Sequence, residues 1–223
     1  MLRVGIIDSG VPDPAPDCLA EARSFHYEQG RVINRDDGAG DKLGHGGMIT
    51  RVITAGSANV ALYFARVFQE KLVTRPVQVA AAIDWLLERQ VRVVNMSFGL
   101  GEDRAPLRAA CARAVKQGVI LVASVPARGE SVYPGAYPGV IRVSGDARCG
   151  PEEVSLLDGD LGHFGAEAQA DGDVRSGSSV ASARITRVIV SILTDIPEAG
   201  LPGIIERLGQ IAVYQGRERR RLS

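Results

Sequence analysis

The segment VGIIDSG, residues 4–10, is a short apolar run that ends abruptly in Asp8, Ser9 and Gly10. A run of this kind, followed by turn-forming residues, predicts a strand that is buried on both faces and stops near Gly10. The carboxylate of Asp8 would then lie at the edge of a sheet. There it either forms the turn or orients a histidine, and the rest of the sequence has to decide between the two.

Strand and helix signals alternate along the chain, which is typical of an α/β fold with a mainly parallel sheet. Besides residues 4–7, four apolar runs predict strands: residues 60–64, 91–96, 119–123 and 140–143. Four longer stretches predict helices: residues 77–89, with a cap at Thr74 and a first-turn Pro76; 106–117, which stops at Gly118; 180–194; and 201–208. Residues 12–41 and 146–176 predict two long irregular loops, where functional sites are often built.

The composition is typical of a single globular domain. Its 223 residues are 45% hydrophobic and 23% charged, which is enough to build a substantial core. Basic and acidic residues number 26 each, so the net charge indicates neither nucleic acid nor a membrane as a partner. We therefore predict one domain over residues 1–223, with a basic, solvated tail at residues 216–223.

Two features of the sequence predict a cytoplasmic protein. The three cysteines, Cys18, Cys111 and Cys149, are odd in number and lack the spacing of metal ligands, which favours reduced thiols. The first predicted strand begins almost at Met1, which leaves no room for a secretory signal or an N-terminal propeptide.

Three short motifs lie where one type of element changes to another: residues 8–10 after the first strand, 44–48 before a helical stretch at 49–53, and 176–183 at the start of an apolar helix. A nucleophilic serine needs a base to take its proton, and the base needs a carboxylate to fix its tautomer. Asp8, His45 and Ser179 supply these groups if one sheet edge brings them together. His26 and His163 lie in predicted loops without such motifs, and we interpret them as incidental.

In order and in flanking sequence, these motifs resemble the subtilisin-like serine peptidases, or subtilases. Residues 94–99 and 133–141 also match family segments, so the resemblance extends from residue 3 to about residue 195. It implies a three-layer sandwich around a mainly parallel sheet. It also implies that Ser179 is the nucleophile, His45 the general base and Asp8 its orienting carboxylate. The backbone N–H of Ser179, at a helix start, can face a developing oxyanion.

The segment that usually supplies an oxyanion donor departs from the family pattern. The family has Ala-Ala-Gly-Asn there, and the corresponding stretch, residues 123–130, places Ala127 at the asparagine position. In a subtilisin, loss of that donor costs about 10²–10³-fold in turnover. Arg128 either replaces the donor, lines the substrate pocket and favours an acidic side chain, or faces solvent. The family's second histidine and the proline after the Ser motif are here Met48 and Ala183.

The resemblance implies a primary substrate pocket between two walls: Ser97, Phe98 and Gly99 on one side, and Ser124, Val125 and Pro126 on the other. Phe98 is equally compatible with a place in the core. The helix after His45 lacks the insertion that binds calcium in many secreted relatives. Asp36, Asp37 and Asp41 share a loop without the spacing of a calcium site, so we expect no metal and no cofactor.

These observations predict a serine endopeptidase that cleaves one or few dedicated precursors in the cytoplasm, for instance by removing a leader peptide. Its partners would be a protein or peptide substrate, paired with an edge strand, and components of a maturation complex. Without a propeptide, low intrinsic activity would keep such an enzyme harmless. Two alternatives stay open: a catalytically weak binding protein, which Ala127 favours, and an esterase that uses the same three residues.

Overall fold

A ten-stranded sheet forms the centre of the protein, as seen in a computed structural model that describes residues 1–56, 59–158, 162–169 and 177–216. The strands are β1 (Leu2–Asp8), β2 (Leu19–Glu28), β3 (Arg31–Arg35), β4 (Val60–Arg66), β5 (Val93–Met96), β6 (Ile120–Ser124), β7 (Val140–Gly145), β8 (Val154–Asp158), β9 (His163–Ala166) and β10 (Tyr214–Gln215). Their spatial order is β10-β8-β9-β7-β6-β5-β1-β4-β2-β3. Only β2–β3 and β8–β9 pair antiparallel among these strands, which confirms a mainly parallel sheet.

Helices cover both faces of the sheet and make three layers, as predicted. They are α1 (His45–Thr54), α2 (Pro76–Glu88), α3 (Ala105–Lys116), α4 (Ser178–Asp195) and α5 (Leu201–Ile211). Ile49, Ile185 and Ile204, from α1, α4 and α5, are buried in one core. Ile83 and Leu107, from α2 and α3, are buried in the other. No helix in the described ranges is both long and apolar enough to span a membrane.

Strand β1 lies inside the sheet, between β4 and β5, and runs parallel to both. Its side chains alternate between the two cores: Val4 and Ile6 contribute to one, and Ile7 to the other. All three are fully buried. This burial on both faces explains why the opening segment is continuously apolar rather than alternating.

The prediction of two long irregular loops was wrong. Strands β2 and β3 lie within residues 12–41, and β8 and β9 lie within residues 146–176. These strands contain polar residues and so form no apolar run; Ser155, for example, is buried and donates to Asp146 at 2.6 Å. Residues 159–161 and 170–176 of the second segment, and residues 217–223 of the predicted tail, lie outside the described residues.

Helix boundaries agree with the sequence to within a few residues. The predicted cap at Thr74 is wrong by one position: Arg75 precedes α2, and its N–H donates to the side chain of Gln78 at 3.0 Å. Pro76 occupies the first turn as predicted, and Gly118 follows α3 with a φ of 78°. Helix α1 begins at His45 itself, four residues before the predicted helical stretch.

The first turn of α1 packs directly on the turn that follows β1. A Cβ atom on Gly46 would lie 2.3 Å from the carbonyl oxygen of Gly10 and 2.9 Å from Cζ of Phe64. A Cβ atom on Gly10 would lie 2.6 Å from Cα of Asp41, and the φ of Gly10 is 144°. Only glycine fits at both positions. This close approach brings the start of α1 to the carboxyl end of β1.

We expect Gly46→Ala to lower the free energy of unfolding by about 1–3 kcal/mol or more, because the new methyl group would overlap the Gly10 carbonyl. Gly203→Ala in α5 is the matched control, since a Cβ atom there meets no atom within 4 Å. That change should raise the free energy of unfolding by up to about 1 kcal/mol. Urea denaturation followed by circular dichroism measures both. Equal effects would contradict the close packing of α1 on the turn.

Candidate active site

Asp8 and His45 are in contact at the carboxyl end of β1. The Nδ1 atom of His45 lies 2.6 Å from Oδ1 of Asp8, whose side chain is fully buried. The backbone N–H of Ser9 donates to the same oxygen at 2.7 Å. A proton on Nδ1, held by the carboxylate, fixes the orientation of the ring and makes Nε2 the basic nitrogen of the neutral histidine.

Ser179 is the second residue of α4, after Gly177 at the N-cap. Its hydroxyl donates to the carbonyl oxygen of Ser97 at 2.8 Å. The carbonyl oxygen of Ser179 accepts hydrogen bonds from the hydroxyls of Ser97, at 3.1 Å, and Ser182, at 2.9 Å. In this rotamer the hydroxyl proton is directed to Ser97, so its transfer to a histidine requires the hydroxyl to turn.

The register of the sheet places these two groups at one edge. Ile7 of β1 is paired with Met96 of β5, so the next residues, Asp8 at the end of β1 and Ser97 just after β5, lie side by side. Asp8 is in contact with His45, and Ser97 is in contact with Ser179. The pair Asp8–His45 and the residue Ser179 therefore lie at the carboxyl ends of two neighbouring parallel strands. Their catalytic roles stay a prediction.

A buried polar network, which the sequence analysis missed, fixes α4 to β5. The amide nitrogen of Asn95 donates to Oγ of Ser97 at 2.8 Å, and that atom lies 3.0 Å from Oγ of Ser182. The hydroxyl of Thr186 donates to Oδ1 of Asn95 at 2.9 Å. The sequence does contain a signal for this network. An asparagine interrupts an apolar strand, and Ser182 and Thr186 lie four residues apart on an apolar helix. Such satisfied networks favour one arrangement of the packed elements.

The loop after β6 carries Ala127 and Arg128, both exposed. Together with His163 they line two small cavities, of about 110 and 140 Å³. Ala127 has no side-chain donor to offer an oxyanion. Among the described residues, no hydrogen bond or ion pair to Arg128 is formed. The three interpretations of Arg128 stay predictions; its exposure and its place at the cavities favour a pocket or surface role.

The two predicted pocket walls contact the same segment, residues 132–135. A Cβ atom on Gly99 would lie 2.5 Å from Cγ2 of Val132, and one on Gly135 would lie 2.3 Å from Cγ1 of Val125. The intervening position, Tyr133, forms an antiparallel bridge with Leu100, with N–O distances of 2.7 and 2.8 Å.

Side chains of the pocket segments differ in exposure. Phe98 packs edge to face on Phe68, with ring centroids 5.3 Å apart, and so belongs in part to the core. Ser124 is buried at the end of β6, whereas Pro126 is exposed. Whether these walls hold substrate stays a prediction.

The remaining histidines lie in strands. His26 and His163 belong to β2 and β9, so their predicted placement in loops was wrong, whereas their interpretation as incidental residues stays a prediction. Their Nε2 atoms lie 2.9 and 2.7 Å from the hydroxyls of Ser24 and Ser144.

The cysteines are poor nucleophiles. Burial raises the pKa of Cys111 to about 12 and also raises the pKa of Cys18 and Cys149, so all three thiols stay protonated near neutral pH. No group of three or more His, Cys, Asp or Glu side chains within the described ranges is arranged to hold a metal ion.

Comparison with known proteins gives several relatives that are named as proteases. The sequence model of the Subtilase family matches residues 2–155. The thermostable alkaline protease of Halalkalibacterium halodurans is 24% identical over 96% of this chain, which spans 63% of that protein's length. Subtilisin DY of Bacillus licheniformis is 25% identical over 96% of this chain and 85% of its own. The major intracellular serine protease of Bacillus subtilis is 25% identical over 64% of this chain and 50% of its own.

Solved structures show the same fold. Sphericase superposes with a TM-score of 0.73 at 18% identity, covering 94% of this chain and 82% of its own. A cold adapted subtilisin-like serine proteinase superposes with a TM-score of 0.69 at 20% identity, covering 92% and 80%. The family match ends before Ser179, but it covers well over half of the chain. This chain belongs to the subtilase family.

Proposed function

We propose that this protein is a serine endopeptidase in which Asp8, His45 and Ser179 form the catalytic group. The observation that carries the proposal is the 2.6 Å contact between the buried carboxylate of Asp8 and Nδ1 of His45. It lies at the sheet edge where Ser97 holds the hydroxyl of Ser179. The membership of the chain in the subtilase family supports the same assignment.

In the proposed reaction, His45 takes the hydroxyl proton of Ser179 as the oxygen attacks the carbonyl carbon of the substrate. Asp8 stabilises the imidazolium that forms, and His45 then gives the proton to the leaving amine. Water hydrolyses the acyl-enzyme by the same proton transfers. The N–H of Ser179 lies in the first turn of α4, where backbone donors lack an acceptor within the helix, and so it serves the oxyanion. With Ala127 at the usual donor position, we expect a low turnover.

The substrate is a protein or peptide, as the names of the related proteases suggest. We further propose a single domain over residues 1–223 that removes a leader from a dedicated cytoplasmic precursor within a maturation complex. The free thiols of all three cysteines support a reducing compartment, and one relative is an intracellular protease. The leader of the small subunit of quinohemoprotein amine dehydrogenase is a substrate of this kind.

A serine-reactive fluorophosphonate probe should label the wild-type protein, and Ser179→Ala should abolish the labelling because it removes the attacking oxygen. Ser178→Ala is the matched control: among the described residues, the neighbouring hydroxyl forms a single long hydrogen bond, which it accepts from the N–H of Gly145 at 3.4 Å. Mass spectrometry of the modified peptide measures the labelling. A folded wild-type protein that takes up no probe would favour the binding-protein alternative instead.

Asp8→Asn should lower kcat by about 10⁴-fold while the fold persists, because an amide at this position favours the wrong histidine tautomer. Hydrolysis of a short peptide anilide measures kcat, and circular dichroism checks the fold. Asp17→Asn, at an exposed position, is the control and should keep full activity. Near-normal turnover of Asp8→Asn would leave Asp8 with a turn-forming role only.

The esterase alternative is tested on the wild-type protein with an ester and an anilide that share one peptide sequence. We expect both to be cleaved. The amine of the anilide is a poorer leaving group than the alcohol of the ester, and in a peptidase His45 protonates it as it leaves. Cleavage of the ester alone would point to an esterase.

A further inference from the structure

Asp41 is the centre of a hydrogen-bond cluster that the proposed function does not use. Its carboxylate accepts four hydrogen bonds from described residues. Oδ1 accepts the hydroxyl of Ser9 at 2.9 Å and the backbone N–H groups of Leu43 and Gly44 at 3.0 and 2.8 Å. Oδ2 accepts the backbone N–H of Gly47 at 2.7 Å.

The donors come from the two segments that carry the proposed base and its partner. Ser9 directly follows Asp8, whereas the N–H donors lie on both sides of His45 in the chain. The hydroxyl of Ser9 also accepts the N–H of Gly46 at 2.8 Å. Asp41 and Ser9 together therefore form a bridge between the end of β1 and the first turn of α1.

The bridge itself is fixed by backbone contacts. The N–H of Asp41 donates to the carbonyl oxygen of Val11 at 2.9 Å. The N–H of Val11 in turn donates to the carbonyl oxygen of Ala39 at 2.8 Å. Arg66, which is 9% exposed, donates to the carbonyl oxygen of Gly40 at 2.9 Å. Asp41 is thus held from two sides and is not a freely moving surface carboxylate.

Part of this cluster is a helix cap. Gly44 precedes α1 and has no side chain, so Asp41 provides the acceptor that an N-cap residue usually provides. Its negative charge also lies at the positive end of the helix. The contact with Ser9 is not needed for a cap. It joins the capped helix to the residue next to Asp8, and so links the positions of the two side chains that meet at 2.6 Å.

We propose that Asp41 is a positioning residue: through Ser9 and the first turn of α1, it holds the ring of His45 against Asp8. This inference rests on the proposed function. A misplacement of about 1 Å in a catalytic group can cost about 10²-fold in turnover. The hydrogen bonds that the Asp41 side chain forms with described residues reach neither predicted pocket wall, so its loss should affect the chemical step rather than substrate binding.

Asp41→Ala should lower kcat about 10- to 100-fold with KM within about twofold of wild type. Asp41→Asn keeps one acceptor oxygen but loses the acceptor for the N–H of Gly47, so its kcat should lie in between. Asp36→Ala is the matched control from the same loop; its side chain is 71% exposed and lies 3.3 Å from Arg23. It should keep the wild-type kcat.

A double-mutant cycle separates positioning from overall stability. In the Asp8→Asn background, Asp41→Ala should lower kcat by a smaller factor than in wild type, because the contact that it maintains is already impaired. An equal factor in both backgrounds would overturn the positioning role. If Asp41→Ala does not fold, the cycle is run with Asp41→Asn, and the same comparison decides.

Proton NMR of protein labelled with ¹⁵N-histidine tests the position of His45 without turnover. The Nδ1 proton, held against the carboxylate of Asp8, should give a low-field, slowly exchanging signal that His45→Gln removes. Asp41→Ala should shift or broaden the signal, and Asp36→Ala should leave it unchanged. An unchanged signal in Asp41→Ala would overturn the proposal, whatever its kcat. If the wild-type protein gives this Nδ1 proton signal but hydrolyses no substrate, the proposed function is overturned and the positioning of His45 is not.

Discussion

The buried carboxylate of Asp8 is the constraint on which the site depends. One of its oxygens accepts from both the backbone N–H of Ser9 and the ring of His45. The two roles predicted for Asp8, forming a turn and orienting a histidine, are therefore not alternatives, because Oδ1 serves both. The local structure at position 8 is thus arranged around His45.

The sheet sets the position of Asp8 relative to Ser179 through its register. Ile6 and Ile7 point into opposite cores, so a slip of one residue would exchange their faces and is strongly disfavoured. With Ile7 held opposite Met96, Asp8 and Ser97 must emerge together. The network of Asn95, Ser182 and Thr186 then fixes α4 against β5. The geometry of the site therefore follows from core packing and buried polar contacts some distance from it.

The sequence was most informative where burial is complete. Strands such as β5 and β6 were predicted to within a few residues, because burial on both faces requires apolar runs. Strands β2 and β8 were missed because polar residues interrupt their apolar pattern; Ser155 of β8, for example, is buried and satisfied by Asp146. The pairing of Asp8 with His45 was predictable from motif order. The bridge through Asp41 was not, because a lone aspartate in a loop gives no signal until its four donors are brought around it.

Ala127 and Asp41 bear on the same quantity in the proposed mechanism, the barrier of the chemical step. In a subtilisin, the side-chain donor to the oxyanion contributes about 3–4 kcal/mol. With alanine at that position, the acceleration rests on the N–H of Ser179 and on proton transfer through His45. The alignment of His45 then makes up a larger share of the remaining catalysis. A histidine held by Asp8 at its ring, and by Asp41 through the backbone on either side of it, is therefore the part of the proposed site where small displacements matter most. The predicted pocket walls lie along separate segments.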